Sequence, residues 1–197
     1  MKSILSPHDK FCITRLIELG LFRKITTEKL NIGNGIIIVP CSDGHQFKDV
    51  YNHIRGVCEK VVDIDCIHPV ALNGGAILMS GRLPEERQAH GKTMFENIIE
   101  ASCIKKCDDV FIYTHFPCAV AMASGIGVVD QGLYLMMAKK RLKAAAPHLR
   151  VKCFFHIDMY DEVEGDSHKR RTYFVPKELW ENEAFLLPVL HELKSEF

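Results

Sequence analysis

Short apolar runs that alternate with amphipathic segments are the feature that most constrains the fold of this chain. The β-branched run Ile36–Val39 has the composition of a strand buried on both faces, and residues 110–113 and 151–157 form similar runs. Helical spacing of apolar residues fills the intervals between them. This alternation predicts a single α/β domain over residues 1–197, with a mainly parallel central sheet and helices on both of its faces.

Start and stop signals place the helices between these strands. Ser6-Pro7 is a favourable cap and first residue for an N-terminal helix that reaches Gly20. Further helices are predicted at about residues 46–60, from Pro84, over residues 119–146 and from Pro176. Additional apolar runs occupy residues 61–64 and 76–79, and a turn at residues 164–167 leads into a last strand at residues 172–175.

The charge balance narrows the range of partners. Lys plus Arg and Asp plus Glu number 25 each, so the chain lacks the long-range positive field of a general nucleic-acid or membrane-surface binder. No apolar run reaches eighteen residues, which argues against a membrane span. The first eight residues meet charge and proline too soon for a secretory signal. A cytoplasmic protein with a small-molecule substrate is therefore expected.

Eight cysteines are more than a chain of this size needs for packing. In a reducing compartment they are poor disulfide candidates, which leaves metal binding, thiol reactivity or burial. The neighbours of Cys12, Cys58, Cys66 and Cys153 are apolar, and these four are predicted to lie in the core. Cys103 and Cys107 are four residues apart on one predicted helix face, and packing is favoured for them over half of a metal site.

The remaining two cysteines form a candidate metal site with a histidine. Cys41 and His115 both follow a predicted strand, and His115-x-x-Cys118 places two ligands in one strand-to-helix loop. Ligand sites of parallel sheets lie at the carboxyl ends of the strands, so the two loops should share one edge. Thiolate and imidazole are the ligands that zinc prefers, and a catalytic zinc keeps a fourth position open. Cys41, His115 and Cys118 are thus predicted to bind Zn²⁺.

Asp43 and Cys118 leave alternatives open. The Asp43 carboxylate can accept a hydrogen bond from a water molecule at the fourth position of the metal, or it can bind the metal itself and so fill that position. It can also serve only as a turn residue in Ser-Asp-Gly. Cys118 begins a helix, where backbone N–H groups favour the thiolate. A metal-free enzyme with Cys118 as nucleophile beside His115 is a further hypothesis.

Two short motifs resemble those of a known family. Cys41-Ser42-Asp43-Gly44-His45 is similar to the Cys-x-Asp-x-Arg motif of β-class carbonic anhydrases, and His115-Phe116-Pro117-Cys118 is similar to their His-x-x-Cys motif. Asn73-Gly74-Gly75 resembles the segment that lines the pocket in that family. The order of helices and strands also agrees, and the resemblance covers roughly residues 35–175.

The resemblance implies a homodimeric or larger zinc lyase that interconverts carbon dioxide and bicarbonate. In the family, zinc-bound hydroxide attacks the carbon of carbon dioxide. The Asp of the first motif accepts a hydrogen bond from that hydroxide, and the Arg of the motif holds the Asp away from the metal. Asp43 and His45 take these two catalytic positions here.

Two residues depart from the family pattern. His45 stands in place of the Arg and lacks its fixed fork of donors and its permanent charge, so it is either a substitute dyad partner or a solvent-facing residue of the next helix. Ala119 stands where the family usually has Gly. These departures leave two alternatives to a carbonic anhydrase: a zinc hydrolase of carbonyl sulfide or carbon disulfide, and a non-catalytic zinc protein in which Asp43 closes the site.

Overall fold

The computed structural model describes residues 5–25, 30–58, 66–159 and 170–195. Five strands and seven α-helices with one 3₁₀ helix make up these ranges. In chain order they are α1 (Pro7–Glu18), β1 (Ile36–Val39), α2 (Gly44–Val57), β2 (Ile67–Pro69), the 3₁₀ helix (Gly75–Ser80), α3 (Glu85–Lys105), β3 (Asp109–Phe116), α4 (Ala119–Ala123), α5 (Val128–Ala145), β4 (Arg150–Asp158), β5 (Arg170–Phe174), α6 (Lys177–Trp180) and α7 (Glu183–Ser195).

The sheet has the order β2-β1-β3-β4-β5. The first four strands are parallel, and β5 returns antiparallel to β4 at the edge. The predicted mainly parallel sheet is confirmed. Because β1 and β3 are hydrogen-bonded neighbours, the segments that leave their carboxyl ends begin side by side. The candidate site lies where these two segments begin, at the carboxyl ends of β1 and β3.

Both faces of the sheet are covered, as a parallel sheet requires. On one face α2 packs through Val50 and Ile54 against alternate residues of the strands: Ile36, Ile38, Phe111, Tyr113 and Phe154. On the other face the 3₁₀ helix, α3 and α5 cover the residues in between: Ile37, Val39, Val110, Ile112, Cys153 and Phe155. The two faces follow from the two-residue alternation of side chains along a strand.

Several element boundaries differ from the prediction. Residues 76–79 form a 3₁₀ helix, which the positive φ angles of Gly74 and Gly81 bracket at its two ends. Residues 119–146 are divided into α4 and α5, since the chain between Gly125 and Gly127 is not helical. The last helical region likewise divides into α6 and α7. The apolar run at residues 61–64 and the turn at residues 164–167 lie outside the described ranges.

The predicted start of α1 is confirmed in detail. The Ser6 Oγ accepts a hydrogen bond from the Asp9 backbone N–H at 3.0 Å, and the Asp9 carboxylate accepts one from the Ser6 N–H at 3.1 Å. This reciprocal pair is a capping box, and Pro7 occupies the first helical position.

None of the helices in the described part of the chain combines the length and the apolarity that crossing a bilayer demands.

Candidate metal centre

Cys41, His115 and Cys118 meet at the carboxyl edge of the sheet. Their potential ligand atoms, two sulfurs and a ring nitrogen, all lie within 4.8 Å of one another, and all three residues are buried. Cys41 follows the end of β1 and Cys118 directly precedes α4. His115 was predicted to follow β3, and this was wrong: β3 continues to Phe116, because the ladder with β4 extends to the pair Phe116 and Ile157. We call these three residues the Cys-His-Cys cluster.

The chain around Cys41 is held by the glycine segment that precedes the 3₁₀ helix. The Ser42 N–H donates to the Leu72 carbonyl at 3.1 Å, and the Gly74 N–H donates to the Cys41 sulfur at 3.2 Å. At Gly75, φ is +57°, and a Cβ atom there would lie 2.7 Å from the Cys41 nitrogen. Only glycine fits such a close backbone approach, so this segment fixes the position of the first sulfur.

The two thiols of the Cys-His-Cys cluster shift the pKa of one another in opposite directions. The hydrogen bond from Cys118 is the main cause that holds the pKa of Cys41 well below its ordinary value, and His115 and the Gly74 N–H act in the same direction against burial. The same bond and then burial raise the pKa of Cys118. The helix start acts on Cys118 in the expected direction, since hydrogen bonds from the backbone of Ala121 and Val120 lower its pKa, but the Cys41 sulfur and burial have the larger effect.

The donor set fits a zinc ion. Two sulfurs and an imidazole are three ligands of the kind that zinc sites use. The His115 side chain is only 5% exposed, yet neither of its ring nitrogens has a hydrogen-bond partner among the described residues. A buried polar group without a partner costs on the order of 1–3 kcal/mol, and metal coordination by one nitrogen removes part of that cost.

A cavity of about 390 Å³ opens onto the Cys-His-Cys cluster. Its wall combines the cluster with polar side chains and with small or apolar residues of α4: Cys41, Asp43, Asn73, Arg87, His115, Cys118, Ala119, Val120 and Ala123. Asp43 is half-buried and lines this cavity together with the cluster. Ala119 is part of the wall. The cavity therefore reaches both sulfurs of the cluster.

The predicted pocket segment contributes in two ways. Asn73 lines the cavity, and its side-chain carbonyl accepts a 2.6 Å hydrogen bond from the Ser42 hydroxyl. Gly74 and Gly75 are not among the lining residues. Their backbone instead lies against the backbone and the sulfur of Cys41. His45 lies in the first turn of α2, and its side chain falls outside the described structure.

Arg87 is a cavity residue that the sequence did not indicate. It belongs to the first turn of α3 and is half-buried, and it is the one Lys or Arg among the residues that line the cavity in the described part of the chain. No short motif surrounds Arg87, and it is 44 positions from the Asp43 that shares its cavity. Only the tertiary fold brings the two together.

Two further cysteine predictions need correction. Cys66 and Cys103 are exposed, whereas Cys12, Cys58 and Cys153 are buried as predicted. Cys107 is also buried, but it lies beyond the end of α3, where its sulfur donates to the Gly35 carbonyl at 2.7 Å. It therefore does not share a helix face with Cys103.

A polar layer lies between α2 and the sheet behind His115. His156 on β4 is 1% exposed, and its Nδ1 is 2.7 Å from the Thr172 hydroxyl on β5. His53 on α2 shares a hydrogen bond of 3.3 Å with the Tyr113 hydroxyl. Burial is the main cause that lowers the pKa of both histidines to about 4, so both are neutral at pH 7. Neither histidine belongs to a sequence motif that predicts a role for it.

Comparison with known proteins finds similarity at the level of the fold. No protein-family model and no curated protein matches the sequence. Among solved structures, a carbonic anhydrase from Streptococcus mutans is 11% identical with a TM-score of 0.44, covering 88% of this chain and 100% of the other. A β-carbonic anhydrase from Trichomonas vaginalis is 13% identical with a TM-score of 0.44, covering 87% and 100%.

A mutant β-carbonic anhydrase from Aspergillus fumigatus is 11% identical with a TM-score of 0.40, covering 73% of this chain and 90% of the other. The likeness concerns the overall fold.

Proposed function

We propose that this chain is a zinc-dependent lyase of the carbonic anhydrase type, which hydrates carbon dioxide reversibly to bicarbonate. The observation that carries the proposal is the convergence of two sulfurs and an imidazole within 4.8 Å at a cavity that Asp43 also lines. The assignment of carbon dioxide as substrate rests on the resemblance of the two motifs. In this proposal residues 1–197 form one domain that acts in the cytoplasm as a homodimer or larger homo-oligomer.

Cys41, His115 and Cys118 would hold the metal. A bound zinc ion supplies Lewis acidity, which makes water a nucleophile near neutral pH. Three protein ligands would leave one position of a tetrahedral site for a small molecule, and the cavity opens onto the same three residues. Asp43 then orients the reacting water by accepting its hydrogen bond, which requires that the carboxylate remain off the metal.

The remaining wall of the cavity suits a small, linear, apolar substrate and an anionic product. Val120 and Ala123 of α4 give the cavity an apolar side, and carbon dioxide carries no net charge. Bicarbonate is an anion, and the Arg87 guanidinium offers it paired N–H donors. The cavity therefore offers an apolar surface to carbon dioxide and a cationic side chain to bicarbonate.

Metal analysis and a rate assay test the proposal together. Protein purified without added metal should hold about one zinc per chain, and C118S should lose most of that zinc because two ligands rarely suffice. Stopped-flow hydration of carbon dioxide should show zinc-dependent turnover. H45R should raise this rate, since arginine would hold the Asp43 carboxylate through a fixed fork of donors.

The other outcomes are equally specific. Absence of zinc from the wild-type protein, combined with a reactive Cys118 thiol, would contradict the zinc site and favour thiol chemistry. Zinc without carbon dioxide hydration, but with hydrolysis of carbonyl sulfide or carbon disulfide, would replace the substrate. Zinc with none of these reactions, and no gain in H45R, would indicate that Asp43 closes a structural site.

A further inference from the structure

Three polar residues stand side by side across three strands on the face that α2 covers. His115 of β3 is the register partner of His156 of β4, and His156 is the partner of Thr172 of β5. Neighbouring strands are about 4.8 Å apart, so side chains at register positions on one face lie next to one another. We call His115, His156 and Thr172 the polar row. It runs from the Cys-His-Cys cluster to the edge strand of the sheet.

The nitrogens of the polar row are incompletely satisfied. Both ring nitrogens of His115 and the Nε2 of His156 are buried without a hydrogen-bond partner among the described residues. Coordination of a metal through one His115 nitrogen leaves the other nitrogen carrying a proton and still without a partner. A metal-bound histidine almost always donates that second N–H to an acceptor, which fixes the orientation of the ring. A metal-bound His115 therefore calls for an acceptor among the residues that pack near its ring.

His156 has the position and the free atom for this role. Its Nδ1 is already engaged with the Thr172 hydroxyl at 2.7 Å, on the β5 side of the ring. If Nδ1 carries the proton and donates to Thr172, then Nε2 presents a lone pair. The backbone register places His115 on the β3 side of His156, and the spare N–H of His115 needs such a lone pair. The hydrogen bonds then run in one direction along the polar row.

We propose that His156 is a positioning residue that accepts the N–H of metal-bound His115, directly or through one water molecule, while its own Nδ1–H donates to Thr172. This inference rests on the proposed zinc site and adds an outer layer of residues to it. The chain thereby uses an imidazole, itself anchored by a hydroxyl, where many zinc sites use a carboxylate. This hydrogen bond would restrict rotation of the His115 ring and so favour one orientation for metal binding.

Gln46 is the competing acceptor within the described residues. Its side chain is 6% exposed on the face of α2 that carries Val50 and Ile54, and its Oε1 has no hydrogen-bond partner. His156 is favoured because backbone register places it beside His115, whereas Gln46 belongs to a helix that packs over the sheet. The Q46L variant separates the two possibilities.

The test measures metal affinity in the full-length protein. Zinc dissociation constants come from competition with a chromophoric chelator at pH 7.5, and cobalt substitution reports the ligand geometry through its visible absorption. We expect H156F to weaken zinc binding by about 10- to 100-fold and to shift the cobalt bands. H156Q restores an acceptor and should stay within about threefold of wild type. T172V, which removes only the far anchor, should fall between them.

H53F is the matched control, because it makes the same substitution in the same layer, at a histidine that hydrogen-bonds Tyr113. Its zinc affinity and cobalt spectrum should equal those of wild type. Equal affinity in wild type, H156F and H156Q, or a loss confined to Q46L, would overturn the inference while leaving the zinc site intact. If H156F fails to fold, the zinc affinities of H156Q and T172V test the inference in its place. A wild-type protein that binds no zinc would overturn the proposed function and this inference together.

Discussion

At the scale of single residues, Arg87 is the side chain whose contribution is most open to measurement. We expect R87Q to weaken inhibition by a small anion such as bicarbonate or azide by about tenfold, the effect of losing one charge-assisted hydrogen bond of about 1.5 kcal/mol. Zinc content should not change, because Arg87 lines the cavity and is not one of the metal-ligating side chains. Inhibition constants from the hydration assay provide the measurement.

The matched control for Arg87 is Arg82, which is exposed and is not among the residues that line the cavity. R82Q removes the same charge from the same region of the molecule, so it reports any long-range electrostatic effect. If R82Q weakened anion inhibition as much as R87Q, the contact in the cavity would be refuted and a general field effect would remain.

Residues adjacent in sequence to a strand end could be predicted, and residues brought in by packing could not. Cys41 and Cys118 carry their own local signal, because each follows a strand within two residues. Arg87, His156 and Thr172 carry none, since the chemistry of each depends on which element becomes its neighbour. The pKa of Cys118 shows the same limit. The helix start favours the thiolate, but the nearby Cys41 sulfur has the larger effect on the pKa of Cys118 and raises it.

At the scale of elements, the contact between α3 and the 3₁₀ helix supports the glycine segment behind Cys41. A Cβ atom at Gly91 of α3 would lie 2.9 Å from the Leu78 carbonyl carbon and would collide with the oxygen of that carbonyl. We expect G91A to destabilise the protein by about 1–3 kcal/mol through overpacking. Thermal denaturation should show the melting temperature falling by about 3–10 °C.

Gly56 of α2 is the control, because a Cβ atom there would meet nothing within 4 Å. G56A should raise the stability by about 0.4–1 kcal/mol, since alanine restricts the unfolded chain. A G91A protein as stable as G56A would show that α3 does not press on the 3₁₀ helix as described.

Periodicity predicted most elements, and it was wrong where tertiary packing determined the conformation. The four apolar residues 76–79 have no period that separates a strand from a short buried helix, and the positive φ angles at Gly74 and Gly81 make the difference. The extra residues of β3 are a similar case. His115 and Phe116 join the strand because β4 offers them partners, which local composition does not reveal.

At the scale of the whole molecule, the neutral histidines between α2 and the sheet link stability to pH. Burial lowers the pKa of His53 in the folded protein to about 4, against an ordinary value of 6.5 in the unfolded chain. Between these values the unfolded state binds more protons, so acid favours unfolding. The stabilisation is fully present above pH 6.5 and is lost as the pH falls towards 4.

The expected loss from His53 alone is about 2 kcal/mol between pH 7.5 and 5, because one unit of displaced pKa corresponds to about 1.4 kcal/mol. H53F removes the titrating group and keeps an aromatic ring against Tyr113 and Phe154. Between pH 7.5 and 5 the free energy of unfolding of H53F should therefore fall by about 2 kcal/mol less than that of the wild-type protein. Urea unfolding at both pH values measures the difference. The Cys-His-Cys cluster is present in both proteins, so its own pH dependence cancels in the comparison. Identical slopes for the two proteins would mean that His53 is already protonated in the fold at pH 5, and that α2 does not seal this layer from water.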